Sequence, residues 1–169
     1  MSRRVRLARP RPPPYADTVS SSVGQPTDLI ADLAKKSGLV WVTYAHHTHA
    51  VWHEWVGDAV CVVTGGTEQP LPDIEKHQTV TLSLRSKATR ALVAQAEARV
   101  EVITPESEHW GSVTETLKSG RLNLTDADNA IERWARESVV VRLVPTGKIT
   151  LAADVPTSVP RTSPHLSRS

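Results

Sequence analysis

Residues 49–66 read HAVWHEWVGDAVCVVTGG, and this stretch decides the fold. Residues 49–56 mix β-branched and aromatic side chains as strands do, and AVCVVT at 59–64 is a short apolar run. Between them, Gly57 and Asp58 are typical of a tight hairpin turn. The stretch therefore predicts two consecutive antiparallel strands, the second of which ends at a pair of glycines.

Outward from this hairpin, the pattern predicts further short strands and a leading helix. On the N-terminal side, residues 26–38 predict a helix that is ended by Gly38, and LVWVTY at 39–44 predicts a strand. On the C-terminal side, TVTLSLR at 79–85 alternates apolar and polar residues, which indicates a strand with one face in solvent.

The last third of the domain predicts one long strand, two helices and a closing strand pair. Residues 91–104 are ambiguous because their Ala content allows a helix, although the alternation in their second half indicates a strand. Helices are expected from Pro105 and from Asp126, and strands at 138–145 and 148–151. The fold class that follows is mainly β, a small antiparallel barrel of six or seven strands with peripheral helices.

The charge of the chain is unevenly distributed. The 169 residues have a formal net charge of +2, but residues 1–27 contain five Arg against one Asp, and residues 28–152 contain 13 basic and 16 acidic side chains. The basic excess lies at the ends, so we expect no binding of nucleic acid by the folded part. Residues 1–27 (rich in Arg and Pro) and 153–169 predict disordered tails around one domain at 28–152.

The cysteine count and the lack of long apolar runs bear on location. Cys61 is the single cysteine, so an intramolecular disulfide is excluded, and its apolar neighbours predict a buried, unreactive thiol in a reducing cytoplasm. No apolar segment follows the Arg-rich start, and no run reaches the roughly 18 apolar residues that a membrane-spanning helix needs. We therefore expect a soluble cytoplasmic protein with no membrane partner.

Four of the seven histidines fall within AHHTHAVWHEW at 45–55. On a strand, His47, His49 and His53 would share one face. His53 would nevertheless lie about 13 Å from His49, at about 3.3 Å per residue, which is too far for both to bind one ion. We expect no metal site here, and a metal- or haem-binding protein is the weakest of our functional hypotheses.

Trp52 and His53 are the residues of this stretch that suit a planar ligand. Trp52 would lie either in the core or against the face of a planar ring. His53, on the opposite face of the same strand, would either hydrogen-bond to a flavin or substrate carbonyl or lie in solvent. Trp41, on the neighbouring strand, is expected in the core.

The order of these elements, with the 49–66 run at its centre, resembles the pyridoxamine 5′-phosphate oxidase-like, FMN-binding split-barrel superfamily over about residues 28–152. The resemblance implies a split barrel that forms a homodimer and binds FMN, or a deazaflavin coenzyme, in clefts at the subunit interface. It also implies that the end of the third strand supplies a hydroxyl and backbone amides to the cofactor phosphate, here at Thr64, Gly65, Gly66 and Thr67. Glycines allow such an approach to an anion, although a plain Gly-Gly turn would read the same.

The chain departs from the family where an Arg-Lys pair usually follows this strand. Residues 68–76, EQPLPDIEK, contain no basic side chain before Lys76. The nearest substitute is RSKATR at the exit of the 79–85 strand, where three cations and a hydroxyl would bind a phosphate: Arg85, Ser86, Lys87 and Arg90. A solvated turn is the alternative interpretation of this run.

The resemblance implies an FMN- or deazaflavin-dependent oxidoreductase that acts on a small-molecule substrate. In such a protein the cofactor supplies the chemistry, which suits a sequence in which we identify no catalytic acid, base or nucleophile. The alternative is a split barrel that has lost its cofactor and binds a ligand or a protein partner without redox turnover.

Overall fold

The computed structural model describes residues 26–152, which form one seven-stranded sheet and three α-helices. The helices are α1 (Pro26–Lys36), α2 (Trp110–Gly120) and α3 (Ala130–Glu137). The strands are β1 (Leu39–Tyr44), β2 (His47–Trp52), β3 (Glu54–Val56), β4 (Ala59–Thr64), β5 (Thr79–Arg85), β6 (Leu92–Ile103) and β7 (Val139–Leu151). The predicted disordered tails lie outside the described residues, except that Pro26 and Thr27 begin α1.

The sheet curls because its two edge strands are neighbours in the chain. All strand pairs are antiparallel in the order β2-β1-β5-β6-β7-β4-β3, so β2 and β3 lie at opposite edges although only His53 separates them. Followed from strand to strand across the sheet, the residues paired in register with Trp41 end at Thr150 of β7. The residues paired in register with Glu54 end at Arg142 of the same strand. Such a stagger is what closure into a barrel requires. The predicted fold class, a mainly β antiparallel split barrel with peripheral helices, is confirmed.

We call the meeting point of the two edges the seam. The strand predicted there differs from the one observed. The sequence indicated a continuous strand at 49–56, but the chain leaves β2 at Trp52 and enters β3 at Glu54. The strand is broken at His53 because the chain crosses there from one edge of the sheet to the other. The alternation of residue types along the chain gives no sign of such a crossing.

Strand β4 explains why the AVCVVT run lacks alternation. All six of its side chains are buried. Val60 and Val62 belong to the main core inside the barrel, whereas Ala59, Cys61 and Val63 pack in a second core with residues of α2 and α3. Burial raises the pKa of the Cys61 thiol to about 12, so this cysteine is the buried, unreactive thiol that the sequence predicted.

Helix α1 begins at Pro26 as predicted, the two later helices begin later than predicted, and the ambiguous segment is a strand. Helix α2 begins at Trp110 rather than at Pro105. Asp126 has a left-handed backbone and no capping hydrogen bond, and a 3-10 turn at Ala127–Asn129 precedes α3. The ambiguous segment at 91–104 forms β6, and the two predicted closing strands are the single strand β7. Among the described residues, none of the helices has the length and apolar character needed to cross a membrane.

Candidate functional site

His53 is buried at the seam and contacts helix α1. Its side chain is only 3% exposed, and its Nε2–H donates to the carbonyl oxygen of Ala34 at 3.0 Å. Burial lowers the pKa of His53, and the hydrogen bond to Ala34 with the nearby carbonyl of Val51 partly opposes that shift. The predicted alternative of a solvated His53 is therefore wrong, and the neutral imidazole joins α1 to the barrel.

The four residues of the RSKATR run that we predicted to bind phosphate line one cleft of about 500 Å³. We call it the Arg85 cleft, and it contains Arg85, Ser86, Lys87 and Arg90 together with Trp41 and the 37–39 segment. The turn is held by backbone hydrogen bonds, because the Arg90 amide donates to the Ser86 carbonyl at 2.8 Å and the Ser86 amide donates to the Ala91 carbonyl at 2.9 Å. The run is thus an ordered turn that closes one side of a cleft.

The cations of the Arg85 cleft are not neutralised by carboxylates of the described residues. Arg85, Lys87 and Arg90 make no ion pair with any carboxylate of residues 26–152. The buried Nε of Arg85 also has no hydrogen-bond partner within that range. A buried donor without an acceptor is uncommon in folded proteins, so this geometry suits an incoming anion.

Trp41 forms the flat wall of the Arg85 cleft. The Arg85 guanidinium lies over the indole ring of Trp41 at 4.9 Å from its centroid. Trp41 is only partly buried, so the prediction that it lies in the core is wrong. The cleft consequently offers an aromatic face beside its cations.

A second cleft of about 370 Å³ adjoins the first and contains Trp52 and His53. The two clefts share Ser37, Gly38 and Lys87. Trp52 is partly buried, packs against the second core and also lines this Trp52 cleft. Both interpretations of Trp52, as a core residue and as a wall, thus describe part of its surroundings.

The end of β4 places Thr64 and the two glycines in local contacts within the chain. The Thr64 side chain is buried, and its Oγ1 accepts a hydrogen bond from the Leu71 amide at 2.7 Å. Gly65 and Gly66 both have positive φ, and the Ser138 hydroxyl donates to the Gly65 carbonyl at 3.3 Å. The two glycines form a tight turn, and their role at a cofactor phosphate stays a prediction.

Thr67 lines a third cleft, of about 210 Å³, together with residues that the sequence did not suggest. We call it the Glu68 cleft. The Glu68 carboxylate forms an ion pair with Arg121, lies 3.7 Å from a guanidinium nitrogen of Arg133 and accepts a hydrogen bond from the Trp134 indole at 2.9 Å. These partners come from the end of α2 and from α3, and no local sequence signal joins them to Glu68.

Gln69 links this third cleft to Trp52. Its side-chain amide pairs with the Trp52 backbone as a neighbouring strand would: Oε1 accepts from the Trp52 amide at 2.7 Å, and Nε2 donates to the Trp52 carbonyl at 2.6 Å. The guanidinium of Arg121 lies 5.9 Å from the Trp52 ring centroid. The three clefts therefore follow one another around the seam, with Trp52 between the RSKATR turn and the loop after β4.

The histidine-rich segment shows no ligand cluster. His46 and His47 are exposed, and His49 stacks on Tyr44 with ring centroids 5.5 Å apart. Among residues 26–152, no group of three or more His, Cys, Asp or Glu side chains is placed to hold a metal ion. His53, whose Nε2 is engaged by Ala34, is separated from the other three by its burial.

Comparison with known proteins identifies the fold through structure and not through sequence. No known family profile matches the chain, and no curated protein matches it significantly. HutZ, the haem storage protein of Vibrio cholerae, is similar in structure with a TM-score of 0.54 at 12% identity, over 73% of this chain and 92% of that protein. A conserved hypothetical protein of Mycobacterium tuberculosis gives a TM-score of 0.53 at 18% identity, over 72% and 81% of the two chains.

A third similar structure is covered over nearly its whole length. It is a Listeria innocua protein provisionally named a pyridoxamine 5′-phosphate oxidase, with a TM-score of 0.48 at 13% identity over 75% of this chain and 97% of that one. At such identities the likeness concerns the fold alone. The chain shares its overall fold with HutZ and with the Mycobacterium tuberculosis protein.

Proposed function

We propose that this chain binds a phosphate-bearing flavin, FMN or a deazaflavin coenzyme, and acts as an oxidoreductase on a small-molecule substrate. The observation that carries the proposal is the Arg85 cleft, where three cations without a carboxylate partner in the described range stand beside an aromatic wall. The buried, unpartnered Nε of Arg85 supports an anionic ligand at this place. The family that the sequence resembles binds flavins, and this resemblance adds to the support.

In the proposed complex the chain contributes binding and orientation. Arg85, Lys87 and Arg90 would hold the phosphate, with the Ser86 hydroxyl as a further donor. The partly buried rings of Trp41 and Trp52 would shield the planar ring system from water. When bound, the flavin or deazaflavin supplies hydride or electron transfer. We include in the proposal a homodimeric assembly.

The direct test is cofactor titration of the purified chain with FMN and with a deazaflavin, followed by the visible absorption and fluorescence of the cofactor. We expect one of them to bind, and Arg85→Ala combined with Lys87→Ala to weaken binding by roughly tenfold or more, because each charge-assisted hydrogen bond is worth about 1.5–3 kcal/mol. The matched control is Lys118→Ala with Arg136→Ala, which removes two cations outside the three clefts. Sedimentation of the same sample tests the dimer.

Several results would contradict parts of this proposal. A chain that takes up neither cofactor would favour the alternative of a binding module without redox turnover. A haem Soret band in the purified protein would point to the haem alternative. Cofactor binding that was unchanged by the Arg85 and Lys87 substitutions would refute the assignment of the phosphate position while leaving the flavin itself in place.

A further inference from the structure

A cleft of about 340 Å³ lies between the start of helix α1, the turn that joins β3 to β4, and strand β7. We call it the Trp55 cleft, because the partly buried indole of Trp55 lines it. Ala31 of α1 and Pro145 of β7 add further apolar surface. The cleft has no lining residue in common with the Arg85 cleft, so it is separate from the place that we assign to the flavin phosphate.

Two carboxylates also line the Trp55 cleft. Asp28 is exposed and makes no ion pair with a basic side chain of residues 26–152. The side chain of Asp58 is 72% exposed and contacts Arg142 through its Oδ1. Lys35 lines the cleft as well, but it lies two helical turns, about 10 Å, beyond Asp28 along α1. The cleft therefore offers an aromatic and apolar surface beside carboxylates that can accept hydrogen bonds from a cation.

The chain itself contains a segment with the complementary chemistry. Residues 9–14, which lie outside the described residues, read RPRPPP and contain two arginines and four prolines. Proline-rich segments favour the polyproline II conformation, whose preformed shape aromatic grooves bind at a low cost in conformational entropy. Guanidinium groups pair well with carboxylates, because their planar donors match the two carboxylate oxygens. The composition of residues 9–14 thus matches both surfaces of the Trp55 cleft.

We propose that residues 9–14 of the same chain bind in the Trp55 cleft. Their prolines contact the Trp55 ring, and their arginines pair with Asp28 and Asp58. The connection is long enough, because Thr27 lines the cleft and the twelve residues between 14 and 27 span up to about 40 Å when extended. A short tether gives an effective concentration of about millimolar, so a weak contact suffices to fill the cleft.

The test is the indole N–H resonance of Trp55 in NMR spectra of the full chain, identified by its loss in Trp55→Phe. We expect Arg9→Ala combined with Arg11→Ala to shift this resonance by more than its line width, because the segment leaves the cleft. Arg3→Ala combined with Arg4→Ala is the matched control. It removes the same charge from the N-terminal segment without changing the RPRPPP run, and it should leave the resonance in place.

A synthetic peptide of residues 8–15 provides the reciprocal test. Added to the Arg9 and Arg11 double variant, it should return the Trp55 resonance toward its position in the unaltered chain. The same peptide with both arginines replaced by alanine should have no such effect. Adding Asp28→Asn to the double variant should weaken peptide binding roughly threefold or more, whereas Asp128→Asn, at an exposed position outside the cleft, should not change it.

The proposal requires both the shift in the double variant and its reversal by the peptide. If either is missing, the inference is overturned. If the position of the Trp55 resonance in the unaltered chain changes on dilution, the occupant is the segment of a second copy, and binding within one chain is overturned. Because these measurements contain no flavin, their outcome is independent of the proposed function.

Discussion

The Nε2 of His53 donates a hydrogen bond to the carbonyl oxygen of Ala34, and this contact fixes helix α1 to the seam where β2 and β3 meet. The same two residues line the Trp52 cleft. The stability of the seam and the shape of the Trp52 cleft thus depend on one buried imidazole.

Replacing His53 should loosen this attachment. We expect His53→Leu, which removes the donor, to lower the free energy of unfolding by about 1–2 kcal/mol, since a net hydrogen bond is lost while Ala34 keeps its bond from the Ser37 amide at 3.3 Å. Urea unfolding measures the change. His47→Leu, at an exposed position on β2, should leave the midpoint where it is, and an equal loss in both variants would contradict a specific role for His53.

The protonation of His53 should make stability depend on pH. Its folded-state pKa lies below its ordinary value of 6.5, chiefly because of burial, so the unfolded chain binds the proton more readily. The stability contribution is therefore complete above pH 6.5 and is lost as the pH falls from there through the folded-state pKa. Tm measured from neutral pH down to about pH 5 should fall less steeply in His53→Gln than in the unaltered chain.

Gly66 should tolerate no side chain. Its φ is +60°, and a Cβ placed there would lie 3.0 Å from the carbonyl oxygen of Glu137. We expect Gly66→Ala to cost about 1–2 kcal/mol from the left-handed backbone alone. Gly111→Ala on α2, where a Cβ meets nothing within 4 Å, should be neutral or stabilising by up to about 1 kcal/mol. Similar Tm shifts in the two variants would argue against the strained turn.

Gln69 should be intolerant of a charge. In Gln69→Glu, an oxygen replaces the nitrogen that donates to the Trp52 carbonyl at 2.6 Å, so two acceptors would face each other. We expect a loss of about 1–3 kcal/mol in unfolding free energy, with an altered Trp fluorescence spectrum. Gln78→Glu makes the same chemical change at an exposed residue and serves as the control. An unchanged spectrum in Gln69→Glu would mean that the loop does not position Trp52.

Arg142 should matter through its two acidic neighbours. It is 6% exposed and donates to both Asp58 and Glu101. We expect Arg142→Met, which retains an apolar stem, to destabilise the chain by about 1–3 kcal/mol. The pKa of Glu101 is held below its usual value first by Arg99 and also by Arg142, so it should rise in this variant, as NMR titration can show. An unshifted Glu101 would contradict the contact.

The sequence predicted those elements whose pattern is decided by neighbours along the chain. Strands β1, β4 and β5 have the predicted bounds, because alternation or an apolar run between turn residues suffices to define them. The RSKATR run also forms one side of a single cleft, since its members are consecutive. Contacts that form only when the barrel closes could not be predicted. Trp134 and Glu68, for example, are 66 residues apart, and the packing of α3 against the end of β4 brings them together.

The same limit explains the misplaced side chains. Trp41 looked like a core residue because its neighbours Val40 and Val42 are, and they are indeed buried. His53 looked like a member of a strand because the alternation continues through it. In both cases the deciding contact, with Arg85 or with Ala34, comes from an element that is distant in sequence.

The single-residue connection at His53 means that the two edges of the sheet are held together by a covalent link whose length is fixed. The width of the Trp52 cleft is then set by the length of this one-residue link as much as by side-chain packing. Inserting one or two glycines beside His53 would lengthen that link and let β2 and β3 move apart. The Trp52 cleft would then widen without a change in any side chain that lines it. In this barrel, the width of the Trp52 cleft can therefore change by insertion rather than by substitution.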